Sequence, residues 1–96
     1  MTSNTDLISL PEADQDIADI LQYTLETWEE EQEAGHWSVL WDAFKRIQFF
    51  PEVGWPQSID SPHIRELHLM HHTIVHRPEP GRIMILRILN PRRRRR

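Results

Sequence analysis

The sequence of 96 residues contains no cysteine, one lysine and one tyrosine. Without thiols, neither a disulfide framework nor a thiolate metal site can form, and nothing points to a secreted protein. The N-terminal MTSNTDLISLPEAD has no basic segment followed by an apolar one, so we predict no signal peptide. No apolar run reaches the length of a membrane span. We therefore expect a cytoplasmic protein with one folded domain and no membrane contact.

Charge is distributed unevenly along the chain. Residues 1–60 carry 13 of the 15 acidic residues and only Lys45 and Arg46 as bases, a formal charge of -11. Residues 61–96 carry two acids against nine arginines, a formal charge of +7. Such a separation indicates an anionic partner for the basic half, either nucleic acid or an acidic protein segment.

The first half of the chain predicts a strand followed by a helix. Residues 6–10 form a short apolar run that Pro11 ends, and Pro11-Glu12 suits the first turn of a helix. Apolar residues then recur at helical spacing from Ala13 to Trp28, which predicts an amphipathic helix of about 18 residues.

A second helical stripe follows the acidic segment EEEQE. It consists of Trp37, Leu40, Trp41, Phe44 and Ile47. We expect EEEQE to form the turn between two antiparallel helices. The three tryptophans on the two stripes, Trp28, Trp37 and Trp41, are predicted to lie in the core.

The second half of the chain changes to the two-residue period of strands. After the loop PEVGWPQSIDSP, the segments HIRELHLM and HHTIVHR each predict a strand. RIMILRILN is apolar on both faces, as a central strand would be. Pro80-Gly81 before it fits a type II turn. The order predicts an α+β fold: an N-terminal strand and a helical hairpin, then a three-stranded antiparallel meander, in one mostly antiparallel sheet.

A set of residues spaced over positions 9–92 without an insertion carries a family resemblance. It comprises Ser9, Ala13, Ile20, Tyr23, Thr24, Trp28, Gln32, Leu40, Ala43, Phe44, Ile47, Pro51, Gly54, Ile64, Arg65, Ile74, Arg77 and the run from Ile85 to Leu89. Their joint spacing resembles the ParE/RelE superfamily of toxins from type II toxin–antitoxin systems, and ParE more closely than RelE.

This resemblance implies that residues 1–91 form a single toxin domain, and we expect the five adjacent arginines 92–96 to form a disordered polyarginine tail because like charges repel. It also implies a cognate antitoxin whose acidic, amphipathic tail wraps over the toxin in a hetero-oligomer. ParE-like toxins of plasmid-stabilisation systems are associated with poisoning DNA gyrase, whereas RelE-like toxins cut messenger RNA on the ribosome. We predict a gyrase inhibitor that acts by binding, without a cofactor. One alternative is a degenerate toxin that only binds its antitoxin.

The other alternative is a ribosome-dependent nuclease. RNA cleavage needs a group that takes a proton from the 2′-OH, cations for the phosphate and an acid for the leaving oxygen. RelE-like nucleases are similar in using lysine and arginine with a C-terminal tyrosine, but Lys45 and Tyr23 both lie in the predicted helices. Five histidines within residues 63–76 could supply acid–base chemistry instead. The catalytic set of this alternative is His72, His76, Arg77 and Arg87. A zinc site would need His68, His72 and His76 with an acid, and we predict no metal.

The predicted partner-binding residues are Trp55, Arg65, Arg77, Arg87, Arg92 and Arg93. Trp55, in the loop after Gly54, either anchors a partner or closes the base of the core. Arg87 lies among apolar neighbours, so it either pairs with Asp16 or Asp19 or meets a ligand in an open groove. The arginine tail attracts phosphate backbones or the acidic antitoxin segment, without reading nucleic-acid sequence.

Overall fold

The computed structural model of the chain describes residues 6–27, 30–69 and 72–89. Within the two helices, side chains are described up to residue 22 and again from residue 38. The elements are β1 (Asp6–Ser9), α1 (Pro11–Thr27), α2 (Glu30–Phe49), β2 (Trp55–Pro56), β3 (Arg65–His68), β4 (Thr73–Glu79) and β5 (Arg82–Leu89). This order confirms the predicted α+β fold. Neither described helix is long and apolar enough to span a membrane.

The five strands form one sheet in the order β1-β5-β4-β3-β2. Strand β1 pairs in parallel with β5, and the other neighbours are antiparallel. Pro80 and Gly81 join β4 to β5, and Gly81 has the positive φ, +82°, that the second central residue of a type II turn requires. Strand β5 has a partner on each side, in agreement with the prediction that it is central.

Helix α2 begins earlier than predicted. Residues 30–33 belong to the helix, so the prediction that EEEQE forms a turn is wrong for all but its first residue, Glu29, which lies outside the described residues. The physical reason is that glutamate and glutamine are strong helix formers, and that acidic side chains near a helix N-terminus interact favourably with its dipole.

The core lies on one face of the sheet, which we call the inner face. Its buried members are Ala13 and Ile20 of α1, Leu40, Ala43 and Ile47 of α2, and Leu67, Ile74, Ile83, Ile85 and Ile88 of the strands. Both helices therefore contribute to the same apolar cluster.

Trp41 does not belong to this core. Its side chain is 57% exposed and packs edge-on against Phe44, with ring centroids 5.6 Å apart. One residue corresponds to about 100° around a helix, so the neighbour of the buried Leu40 falls beside the buried stripe. The prediction that Trp41 is a core residue is therefore wrong. Trp28 and the side chain of Trp37 lie outside the described part of the chain.

A β-bulge in β5 changes which face its residues occupy. Val75 lies opposite Arg87 and His76 lies opposite Ile85, so Leu86 has no counterpart on β4. Strict alternation from Ile85 would place Arg87 on the inner face. The extra residue turns Arg87 to the opposite face and places the next residue, the buried Ile88, in the core. The bulge thus keeps a charged side chain out of the apolar cluster.

Candidate partner-binding surface

The face of the sheet opposite the core, which we call the outer face, is formed by alternate strand residues. It consists of Asp6, Ile8, Trp55, Glu66, His68, Thr73, Val75, Arg77, Glu79, Arg82, Met84, Arg87 and Leu89. Directly opposed residues share a face, so one row runs from Trp55 through Glu66 and Val75 to Arg87. Strand spacing places the two ends of this row about 14 Å apart. In the described part of the chain, the helical core residues all cluster with inner-face residues.

The centre of the outer face is apolar, and its rim is mostly charged or polar, with Ile8, Trp55 and Leu89 as the apolar exceptions. Val75 and Met84 are only 3% and 9% exposed, although they lie outside the core cluster. Aliphatic stems of neighbouring long side chains can provide such shielding. Trp55 at one edge is 69% exposed and therefore does not close the base of the core. Trp55 belongs to the edge strand β2 rather than to a loop. Pro56 is tolerated in this strand because an edge strand has one side without a hydrogen-bonded neighbour.

Arg87 forms an ion pair that holds β5 against α1. Its Nε and Nη2 donate to the two carboxylate oxygens of Asp16 at 2.7 and 3.0 Å. The same carboxylate accepts the backbone N–H of Ile88 at 2.8 Å. Strand β1 ends at Ser9, so Asp16 supplies an acceptor where the parallel partner strand has stopped. Of the two alternatives for Arg87, the structure has the pair with Asp16, and hydrogen bonding to that carboxylate raises the pKa of Arg87.

Arg77 and Arg82 share a single carboxylate. Glu79 accepts from Arg77 Nε at 3.0 Å and from Arg82 Nε at 2.9 Å. The hydrogen bond from Arg82, and to a lesser extent that from Arg77, lowers the pKa of Glu79, so the carboxylate stays ionised throughout the neutral range. Both guanidinium groups remain partly exposed, and each has five N–H donors, of which these contacts use only some. The cations of the outer face are therefore paired but retain donors for a partner.

Arg65 lies apart from the other predicted arginines. It is half-buried on the inner face, opposite His76, and donates from Nη2 to the carbonyl oxygen of Gly54 at 2.7 Å. The structure thus brings Trp55, Arg77 and Arg87 to the outer face and places Arg65 behind it. Arg92 and Arg93 lie outside the described residues.

The alternative catalytic residues are not brought together. His76 is fully buried on the inner face, with Nε2 3.1 Å from the carbonyl oxygen of Pro51, and burial lowers its pKa. Arg77 and Arg87 lie on the outer face. His72 is 5% exposed and precedes β4. Within residues 6–27, 30–69 and 72–89, no three histidine or acidic side chains are arranged to hold a metal ion.

Comparison with known proteins identifies the family. The model of the family described as "ParE toxin of type II toxin-antitoxin system, parDE" matches residues 7–95. The chain belongs to the ParE toxin family. A solved structure of a chromosomal ParDE toxin–antitoxin system from P. aeruginosa is 20% identical with a TM-score of 0.71, covering 93% of this chain and 98% of that one. At this identity the likeness is one of fold. No curated relative matches the sequence.

One acidic residue that organises the outer face of this ParE-family chain was missed from the sequence, and the role of a second was predicted only in part. Glu79 was not predicted to hold two arginines, although the spacing of Arg77, Glu79 and Arg82 around a two-residue turn indicates such a cluster. Asp16 was named only as a partner of Arg87. Its bond to the Ile88 backbone depends on where β1 ends, which the sequence does not reveal.

Proposed function

We propose that this ParE-family chain inhibits DNA gyrase by binding, without catalysing a reaction, and that a cognate antitoxin neutralises it in a cytoplasmic hetero-oligomer. The observation that carries the proposal is the outer face of the sheet. It has no described helix packed on it, an exposed Trp55 at one edge and partly exposed guanidinium groups around the rim, while the apolar centre formed by Val75 and Met84 is shielded. Tryptophan and arginine are the residue types enriched at binding hot spots.

The arrangement of histidines also favours binding over RNA cleavage. A general base must reach the proton that it removes, while cations contact the same phosphate. His76 is buried in the core side of the sheet, and Arg77 and Arg87 are on the other side. This separation supports the proposal that the chain acts by occupying a surface of its target.

Trp55→Ala is expected to raise the concentration needed to inhibit gyrase supercoiling by about tenfold, since a truncated hot-spot residue costs more than 1 kcal/mol. Ile59→Ala is the matched control, because Ile59 is 95% exposed and belongs to no strand of the sheet. The measurement is a supercoiling assay beside a translation assay that monitors message integrity. If the wild-type protein leaves supercoiling intact but cleaves the message, and if His72→Ala and His76→Ala abolish that cleavage, the protein is a nuclease instead. Antitoxin binding without either inhibition would identify a degenerate toxin.

The arginine tail is proposed to strengthen binding to an acidic antitoxin segment or to DNA. We expect the affinity of full-length protein for antitoxin to fall more steeply with salt than that of a 1–91 truncation, because five clustered cations release counterions from their partner. Replacing residues 92–96 by five lysines should preserve the steep dependence, since charge and not guanidinium geometry causes it. Equal salt slopes for the full-length and truncated proteins would rule out the role of the tail.

A further inference from the structure

Two side chains on the inner face hold the segment that leads into Trp55. Arg65 Nη2 donates to the carbonyl oxygen of Gly54 at 2.7 Å, and His76 Nε2 lies 3.1 Å from that of Pro51. The two side chains are directly opposed on β3 and β4. Residues 51–54, which we call the Trp55 loop, are therefore attached to the middle of the sheet at two carbonyl groups.

The Trp55 loop lies directly against the backbone of β3. Gly54 has φ of +100°, and a Cβ built on it would lie 2.4 Å from the carbonyl oxygen of Glu66. Glu66 is also the residue opposite Trp55 in the β2–β3 pair. Strand β2 has only two residues, one of them a proline, so the backbone pairing available to fix its position is small.

We propose that Arg65 and His76 are positioning residues, which hold the Trp55 loop against the sheet and thereby fix Trp55 on the outer face, and that acid weakens this hold. The functional consequence rests on the proposed role of Trp55 as the anchor for a partner. Neither residue needs to touch that partner, because both act from the inner face through the carbonyl groups of the loop.

The acid sensitivity follows from the burial of His76. Its Nδ1 is buried and has no hydrogen-bond partner in the described part of the chain. Donation from Nε2 to Pro51 therefore suits the neutral ring, and a second proton would place a buried positive charge beside Arg65. Burial lowers the pKa of His76 and the charge of Arg65 lowers it further, while the backbone carbonyl groups of Pro51 and Ile74 and the Glu52 carboxylate act in the opposite direction.

The direction of the pH dependence can be derived from this shift. His76 stays on β4 when the loop is released, and without the loop over it the imidazole regains its ordinary pKa of about 6.5. The released state therefore binds protons more readily than the held state. The hold is complete above that pH and is lost as the pH falls towards the lowered pKa of the held state. The equilibrium constant for release is expected to rise up to about tenfold between pH 7.5 and 5.5.

Amide hydrogen exchange of the full chain tests the proposal without any partner. Opening of residues 50–57, corrected for the intrinsic exchange rate, should increase up to about tenfold from pH 7.5 to 5.5 in the wild type, while β4 and β5 stay protected. His76→Gln should remove the pH dependence, because an amide can donate but does not titrate. Arg65→Gln should increase opening at both pH values, and Arg65→Lys should restore part of the protection. Lys45→Gln, which removes an exposed cation from α2, should behave like the wild type.

The outcomes separate this proposal from the proposed function. Loop exchange in the wild type that does not respond to pH overturns acid release, and this comparison needs no variant that might misfold. Unchanged exchange in Arg65→Gln overturns its positioning role. If exchange responds as expected but Trp55→Ala leaves gyrase inhibition unchanged, the hold on the loop stands and the gyrase-binding role of Trp55 fails. If Trp55→Ala weakens inhibition and Arg65→Gln does not, the positioning role fails.

Discussion

Gly54→Ala is expected to lower the free energy of unfolding by about 4 kcal/mol, the largest effect that we predict for a single substitution. The φ of +100° strains any residue with a side chain, at a cost of about 1–3 kcal/mol. The new Cβ would also lie 2.4 Å from the carbonyl oxygen and 2.9 Å from the carbonyl carbon of Glu66. These are backbone atoms of β3, so no change of rotamer relieves the collision. Forced backbone shifts add about 1–3 kcal/mol.

Gly81→Ala provides the matched control. Gly81 has a similar φ of +82°, but no atom lies within 4 Å of the position that its Cβ would occupy. Only the conformational strain remains, and we expect a loss of about 1–2 kcal/mol. Urea unfolding of both variants measures the difference. Equal losses at the two glycines would show that the Trp55 loop does not lie against β3 as described.

Asp16→Ala is expected to lower the free energy of unfolding by about 3 kcal/mol. The substitution removes the acceptor of the Ile88 N–H, and a buried donor without a partner costs about 1–3 kcal/mol. It also removes two hydrogen bonds from Arg87, whose side chain is 49% exposed and can be rehydrated, so this part of the loss is smaller. The Asp16 carboxylate thus adds hydrogen bonds to the apolar packing between α1 and β5.

Arg87→Ala separates the two contributions. It deletes the ion pair but leaves Asp16 bonded to Ile88, so we expect a loss of only about 0.5–1 kcal/mol. The effect of Arg87→Ala should shrink in 1 M salt, whereas most of the effect of Asp16→Ala should persist. Thermal or urea unfolding of both variants and the wild type at low salt and in 1 M salt measures these losses of free energy. If the two variants lose the same free energy at low salt, the bond to the Ile88 backbone contributes nothing measurable.

The strands and the α+β class could be predicted from the sequence because each depends on a local pattern. Alternation indicated β3 and β4, and Pro80-Gly81 indicated the turn between β4 and β5. The start of α2 was missed because glutamate-rich segments suit both a solvated turn and the first turns of a helix. The exposure of Trp41 was missed because its spacing fits the apolar stripe, while the width of that stripe is set by what α2 packs against.

The outer face could be predicted only in part. The run from Ile83 to Leu89 is apolar at both alternations, so nothing local indicates that Leu86 is the extra residue and that Arg87 faces outward. The alternation of Arg65 with Leu67 does predict that they share a face. What it does not reveal is that Arg65 donates to the carbonyl oxygen of Gly54, eleven residues earlier in the chain.

The parallel pairing of β1 with β5 has a consequence for synthesis of the protein. Asp6, near the start of the chain, lies opposite Arg82, and β5 separates β1 from every other strand. A nascent chain that has reached only Gly81 would leave β1 and β4 as bare edges, and such contacts between distant residues form late. The five-stranded sheet therefore cannot be completed until the chain has been synthesised as far as Leu89, and the row from Trp55 to Arg87 forms only after that point.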